Sequence, residues 1–342
     1  MVKKALGSWL IFTAIFMSSG TAIADSGVTL AFVGDVNFTG RIGDAMALNG
    51  ASWAFEGVRE ELGSADYAIA NLESPAGIGG AKYCEKRVYF KADPNHLDAL
   101  VDAGIDMVSL ANNHALDYGP DILRQTRDAL DKRGIAYVGI RDNNKSHYVP
   151  KIVKIKGLTI AFFGYCNACP TEFGPRSNTA GVNVGMGKMI KEQVMLVKHY
   201  FNPDFIIAMP HWGSEYFGVD KNQEYTARMM REAGVDVIVG AHTHVLQKVE
   251  MIDKTLVAWS LGNFLFPMRW QISLDSAILM VTLEKGKLPS YDTIPISLDT
   301  NRPIRQFGED EAYARINYIL KHGYEYNNER KWPKHGPWED AK

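Results

Sequence analysis

Six short apolar runs, with a helical stretch between each one and the next, constrain this chain more than any other feature. They cover residues 28–33, 66–70, 106–110, 135–139, 204–209 and 235–239. Each is too short for a helix and rich in aliphatic and β-branched residues, which reads as a buried strand. The intervening segments 53–62, 94–103, 119–132, 188–201 and 223–233 carry apolar residues at helical spacing or start with helix signals, such as Asp93 before Pro94. Alternation of this kind predicts parallel pairing with helices covering both faces. Segments 149–155 and 158–164 flank Lys156-Gly157, a hairpin signal. Residues 245–252, 255–260 and 277–283 read as antiparallel strands, and the chain beyond Ile294 reads as polar, with a helix over 309–321.

Chemistry-bearing residues gather just past those strands. Asp35, Asn37, Glu73, Asn113, His114, His211, His242 and His244 all follow an apolar run, and four of the nine histidines are in this set. In an α/β sheet the carboxyl ends of the strands share one edge, so these side chains can converge. His242 and His244 are one residue apart, and in an extended segment they would point the same way. Turn chemistry explains Asp and Asn after a strand, but it does not demand histidine. Carboxylate, amide and neutral imidazole together suit Mn²⁺, Fe²⁺, Zn²⁺ or Mg²⁺. There are more candidates than one ion needs, which predicts two ions with a carboxylate between them. His114, beside Asn113, is placed to act as a general acid.

With 37 basic and 39 acidic residues, the net charge of -2 gives no reason to expect nucleic acid as a partner. Residues 1–24 read as an export signal: Lys3 and Lys4, an apolar run over 10–17, then Ala22-Ile23-Ala24. The expected mature protein is periplasmic, cell-surface or extracellular, or membrane-anchored if that segment stays. Cys166 and Cys169 are spaced to close a disulfide in an oxidising compartment, leaving Cys84 unpaired. We divide the chain into this signal, a domain over 25–300, and a C-terminal helix with a polar tail over 301–342.

Six motifs in order carry a family resemblance. They are Gly34-Asp35-x-Asn37, Asn71-Leu72-Glu73, Asn112-Asn113-His114-x-x-Asp117-x-Gly119, Pro210-His211-Trp212-Gly213-x-Glu215, Gly240-x-His242-x-His244-Val245-Leu246-Gln247 and Ser260-Leu261-Gly262-Asn263-Phe264. The set resembles the CapA family of poly-γ-glutamate capsule proteins, over residues 28–283. That family is similar to the calcineurin-like metallophosphoesterases, which implies a four-layer α/β/β/α sandwich with two mixed sheets. The resemblance implies Asp35 and His244 on a first metal, Glu73 bridging, and Asn113, His211 and His242 on a second. Asn37 stands where the wider superfamily has a histidine, and Glu73 where it has an aspartate. Implied partners are an anionic surface polymer such as poly-γ-glutamate and membrane capsule synthase subunits.

Two functions are expected. One is a metal-dependent hydrolase cleaving a phosphoester or an amide of a surface polymer. The alternative is a non-catalytic capsule accessory that keeps the scaffold to bind polymer or synthase, through residues such as Lys82, Tyr83, Arg87, Trp212 and Tyr216.

Overall fold

Apolar runs with no polar face must be covered on both sides, and two stacked sheets with helices outside them provide that cover. The computed structural model describes residues 27–144, 150–185, 187–268, 270–299, 302–326, 330–333, 336–337 and 339. The expected export segment, residues 1–24, lies outside them. The first elements are β1 (Val28–Val36), α1 (Arg41–Asn49), α2 (Arg59–Gly63), β2 (Tyr67–Leu72), α3 (Asp98–Asp102), β3 (Met107–Ser109) and α4 (Gly119–Asp131). β4 (Ala136–Val138), β5 (Ile140–Arg141), β6 (Lys151–Ile155), β7 (Leu158–Cys166), β8 (Gly181–Val182), α5 (Gly187–Phe201), β9 (Phe205–His211) and α6 (Lys221–Ala233) follow. The last are β10 (Val237–Val239), β11 (Val249–Ile252), β12 (Thr255–Ala258), β13 (Asn263–Leu265), β14 (Asp275–Leu283), β15 (Ser290–Asp299), β16 (Arg302–Arg305) and α7 (Glu311–His322).

One sheet runs β16-β15-β14-β1-β2-β3-β4, with β13 added beside the end of β1, and the other runs β11-β12-β10-β9-β7-β6. The strands that alternate with helices pair in parallel, as the pattern requires, while β14–β16 and the edge strands β6 and β11 are antiparallel. Both sheets are therefore mixed, and the expected four-layer sandwich is the fold observed.

Period-2 alternation sorts the side chains into three cores. Leu30, Phe32, Ile69 and Met107 of the first sheet meet Ile160, Phe162, Ile207 and Leu256 of the second between the layers. Their neighbours Ala31, Val33, Ala68, Ala70 and Val108 point outward under Leu100, Leu123 and Leu130 of the first helical layer. Phe163, Ile206, Ile238 and Val257 likewise pack under Ile190, Val194 and Met230 of α5 and α6. Each fully buried side chain of this size contributes about 1.5–3 kcal/mol.

Local chemistry sets the boundaries. Lys156 and Gly157 both have positive φ, 44° and 88°, the requirement of a two-residue hairpin turn between β6 and β7. α6 begins two residues before the expected start because Asp220 caps it, accepting from the backbone of Asn222 and Gln223 at 2.9 Å. The expected strand over 245–252 is pared to β11.

The chain beyond Ile294 departs from its polar reading. β15 and β16 extend the first sheet there, half-exposed strands whose polar outer residues mask the pattern. Ala312, Ile316, Ile319 and Leu320 of α7 close the inter-sheet core. No helix among the described residues is long and apolar enough to cross a membrane.

Candidate metal centre

The carboxyl ends of β1, β2, β3, β9 and β10 meet at one edge of the sandwich. Two glycines allow the closing loop to reach them. A Cβ on Gly34 would lie 1.9 Å from the carbonyl oxygen of Gly262, and one on Gly240 would lie 2.0 Å from that of Trp259. The 259–263 loop can therefore press against β1 and β10, and it delivers Asn263 to the site.

Asp35, Asn37, Glu73, Asn113, His114, His211, His242 and His244 are all buried there. They form two groups that could hold a metal ion: Glu73, His211 and His242 in one, Asp35, Glu73 and His244 in the other. Glu73 belongs to both. Its Oε1 lies 3.8 Å from His211 Nε2 and 3.7 Å from His244 Nε2. Those spacings suit an ion about 2 Å from each atom rather than a hydrogen bond between them. Asn113 Oδ1 sits 2.9 Å from His211 Nε2, and Asp35 Oδ2 is 3.5 Å from His244 Nδ1. Glu73 Oε1 and His242 Nδ1 are buried with no hydrogen-bond partner. A buried acceptor left unpaired costs about 1–3 kcal/mol, so two in one cluster mark a place shaped for something else.

The two histidines do not converge by an extended backbone, as the spacing suggested. His242 has φ 96° and His244 φ 58°, both left-handed, and this bend is what turns their rings to within 6.1 Å of each other. Non-glycine residues rarely adopt such values, and strain of this kind concentrates at functional sites.

Dryness governs the protonation of the cluster. Burial, reinforced by the Asp35 carboxylate, pushes the Glu73 carboxyl well above the ordinary carboxylate range. Burial, then the neighbouring imidazoles, drives His211 well below the usual imidazole value and His242 down to about 3. Burial also opposes charge on His244, but its hydrogen bond to Asp35 outweighs that and raises it. A cation would resolve all of this, since it stabilises carboxylate and neutral imidazole alike.

His114 lies beside the cluster and is held from behind. Asp117 Oδ2 accepts from its Nδ1 at 2.6 Å, and Lys86 Nζ reaches Asp117 Oδ1 at 2.5 Å. Because the carboxylate only accepts, Nδ1 carries the hydrogen and Nε2 faces away from Asp117. The Phe90 ring packs 4.3 Å from the imidazole. Burial lowers the His114 pKa, with Asp117 working against it.

The structure does not bring Asn37 Oδ1 to these groups. That oxygen accepts from the Thr39 amide at 2.9 Å and its hydroxyl at 2.7 Å, a local turn. Four further residues complete the site. Asn71 donates to Asp35 Oδ1 at 2.8 Å, and Asn263 Oδ1 holds His244 Nδ1 at 2.9 Å. Asn71, Asn263 and Asp117 stand inside the motifs quoted above, which was their only signal. Lys86 arrives from a long loop with no sequence signal. Of the expected polymer contacts, Trp212 is buried with its Nε1 donating to the Trp259 carbonyl, and Tyr216 is buried against His244. Lys82 and Arg87 are exposed. Cys166 and Cys169 are disulfide-bonded, Cys84 is free, and the backbone amide of Asn167 inside the disulfide loop donates to the His211 carbonyl at 2.9 Å.

Comparison with known proteins bears on the fold and on the family. A crystal structure of a novel phosphatase from Mycoplasma pneumoniae matches with a TM-score of 0.51 over 85% of this chain and 98% of that one, at 12% identity, a likeness of fold. The PGA biosynthesis protein CapA of Bacillus subtilis is 30% identical over 285 residues, covering 82% of this chain and 74% of that protein. The capsule biosynthesis protein CapA of Bacillus anthracis is 28% identical over 310 residues, covering 84% and 75%. Residues 29–268 match the model of the bacterial capsule synthesis protein family PGA_cap. This chain therefore belongs to that family, and it carries the family's sequence on a four-layer α/β/β/α sandwich.

Proposed function

We propose that this chain is an exported hydrolase of a capsule polymer pathway, acting on a phosphoester or an amide at a centre of two divalent ions. The observation that carries this reading is Glu73, shared by both ligand groups with its Oε1 unpartnered. Asp35 and His244 would hold one ion, His211, His242 and Asn113 the other, and Glu73 both. Such ions polarise a substrate oxygen and lower the pKa of an attacking water. Asp117 orients His114 and stabilises its imidazolium, and burial makes that imidazolium a stronger acid than free imidazole. His114 Nε2 gives its proton to the leaving group. Phe90 shields the imidazole on one face.

The capsule pathway is supported by the names of the two Bacillus relatives and by the capsule synthesis family that this chain matches. Export is supported by the pattern of residues 1–24 and by the Cys166–Cys169 disulfide, a bond that persists in oxidising compartments. Mass spectrometry of the protein recovered from a capsule-forming host should show a chain beginning near Asp25. An intact N-terminus in the cytoplasmic fraction would refute export.

The decisive experiment is elemental analysis of the wild type against His242→Ala and His244→Ala, with turnover of phosphoester and γ-glutamyl amide substrates. Wild type is expected to hold two equivalents and each variant one, with activity lost in both variants and in His114→Ala, which keeps its metal. Metal bound without turnover of either bond class would give the centre a binding role and favour the accessory reading. A folded wild type that binds no divalent metal would remove the hydrolase.

A further inference from the structure

Aromatic rings run in series across the mouth of the centre. Phe90, packed on His114, lies 5.8 Å from Phe266, and Phe266 lies 4.7 Å from His244. His244 stacks on Tyr216 at 5.8 Å, and Tyr216 meets Trp270 edge-on at 4.4 Å. The series ends in a cation. The guanidinium carbon of Arg330 stands 4.2 Å from the Tyr216 ring centroid and 3.8 Å from that of Trp270. Trp270 is 38% exposed, so this end opens to solvent.

A guanidinium set over aromatic rings keeps N–H donors for other partners, and the Tyr216 and Trp270 rings, 80° apart in plane, confine Arg330 from two directions. Among the described residues, no acceptor hydrogen-bonds to Arg330 and no carboxylate pairs with it. Lys86, at the His114 end of the ring series, is by contrast tied to Asp117. The two cations therefore have different uses: Lys86 is committed to the protein, and Arg330 is presented to what enters. Phe90 and Phe266 offer apolar surface between them, and the Glu215 carboxylate is near enough to act on Tyr216 and His244, so Arg330 is a cation open to an incoming anionic group at the solvent end of the series.

We propose that Arg330, held against Tyr216 and Trp270, is an oxyanion subsite that takes a carboxylate or phosphate of the substrate, one ring away from His244. This deepens the function proposed above and rests on it for the role of His244. A planar, bidentate anion fits a guanidinium fork better than it fits an ammonium. The substrate class is then a molecule with a second anionic group beside the bond attacked, as in a chain of carboxylate-bearing repeats.

The test is calorimetric binding of two probes, a γ-linked glutamate oligomer and inorganic phosphate, to the full protein with Mn²⁺ and after chelation. Wild type should bind at least one probe, and Arg330→Ala should weaken that binding at least tenfold while metal content stays at the wild-type level. Trp270→Ala should weaken it in the same direction, and Arg330→Lys should recover only part of the loss. Loss for the oligomer alone identifies a carboxylate subsite, and loss for phosphate identifies a phosphate one. Unchanged affinity in Arg330→Ala, or no binding of either probe to the wild type, overturns the inference. Metal-free protein whose probe binding still depends on Arg330 would retain the subsite while the metal centre itself fails.

Discussion

The two ligand groups joined at Glu73 are built differently. On one side His244 is already engaged, its Nδ1 held by Asn263 with the Asp35 carboxylate close by, and its proton is favoured. On the other side His211 and His242 are kept neutral by burial, and His242 Nδ1 has no partner at all. The histidine of the first group is satisfied without an ion, while in the second His211 Nε2 has Asn113 Oδ1 but His242 Nδ1 has nothing. Binding at the first must displace a proton and an internal contact, so the second group should fill first and hold its ion more tightly.

The largest effect expected is at the shared carboxylate. Glu73→Gln should empty both groups, costing more than the roughly 100-fold in affinity that a supporting residue costs. Metal analysis after gel filtration reads this directly, and an ion retained on His211 and His242 would break the idea of sharing. Next come the two histidines. The ion left in His244→Ala should resist a competing chelator better than the one left in His242→Ala; the reverse order would invert the comparison. Asn263→Ala should weaken only the Asp35–His244 ion, by about 10–100-fold. A chelator titration resolving two affinities would show which one moves.

Acid should separate the groups too. His242 titrates at about 3 when folded against 6.5 when free, so between those values the unfolded chain binds a proton that the folded chain refuses. Stability of the metal-free protein from this residue is therefore lost as pH falls from 6.5 toward 3. His244, raised by Asp35, has the opposite sign: its contribution is full below 6.5 and fades as pH rises through its folded value. Thermal melts of chelated protein across pH, in wild type, His242→Ala and His244→Ala, should show slope changes of opposite sign. Parallel profiles in the two variants would remove the electrostatic part of the comparison.

Much of this was legible in the sequence, for identifiable reasons. Runs such as 28–33 and 204–209 are apolar but for Thr29 and the leading Asp204 because their strands are covered on both faces, and the residues just past them are polar because that edge is the site. The 290–305 strands were not legible. They lie toward an antiparallel edge, where Tyr291 and Asp292 face water and Pro295 discourages a strand reading. Nor could sequence place Lys86, since contact with Asp117 depends on how a long loop folds back. Trp212 and Tyr216 looked like polymer contacts because aromatic residues in loops read as exposed. The structure buries Trp212 in the core under α5 and α6 and packs Tyr216 against His244. The left-handed turns at 242 and 244 were hidden because nothing in a histidine announces positive φ.

Those turns bear on how the chain would drift if its work were lost. Glycine adopts φ near 96° without penalty, whereas alanine retains the Cβ that makes it costly. His242→Gly should therefore be more stable than His242→Ala, by about 1 kcal/mol, in chelated protein compared by denaturant titration. Selection for folding alone would move position 242 away from histidine. A lineage that keeps a side chain at that bend pays a standing tax on its own stability, and such a lineage is one in which the ring still has an occupation.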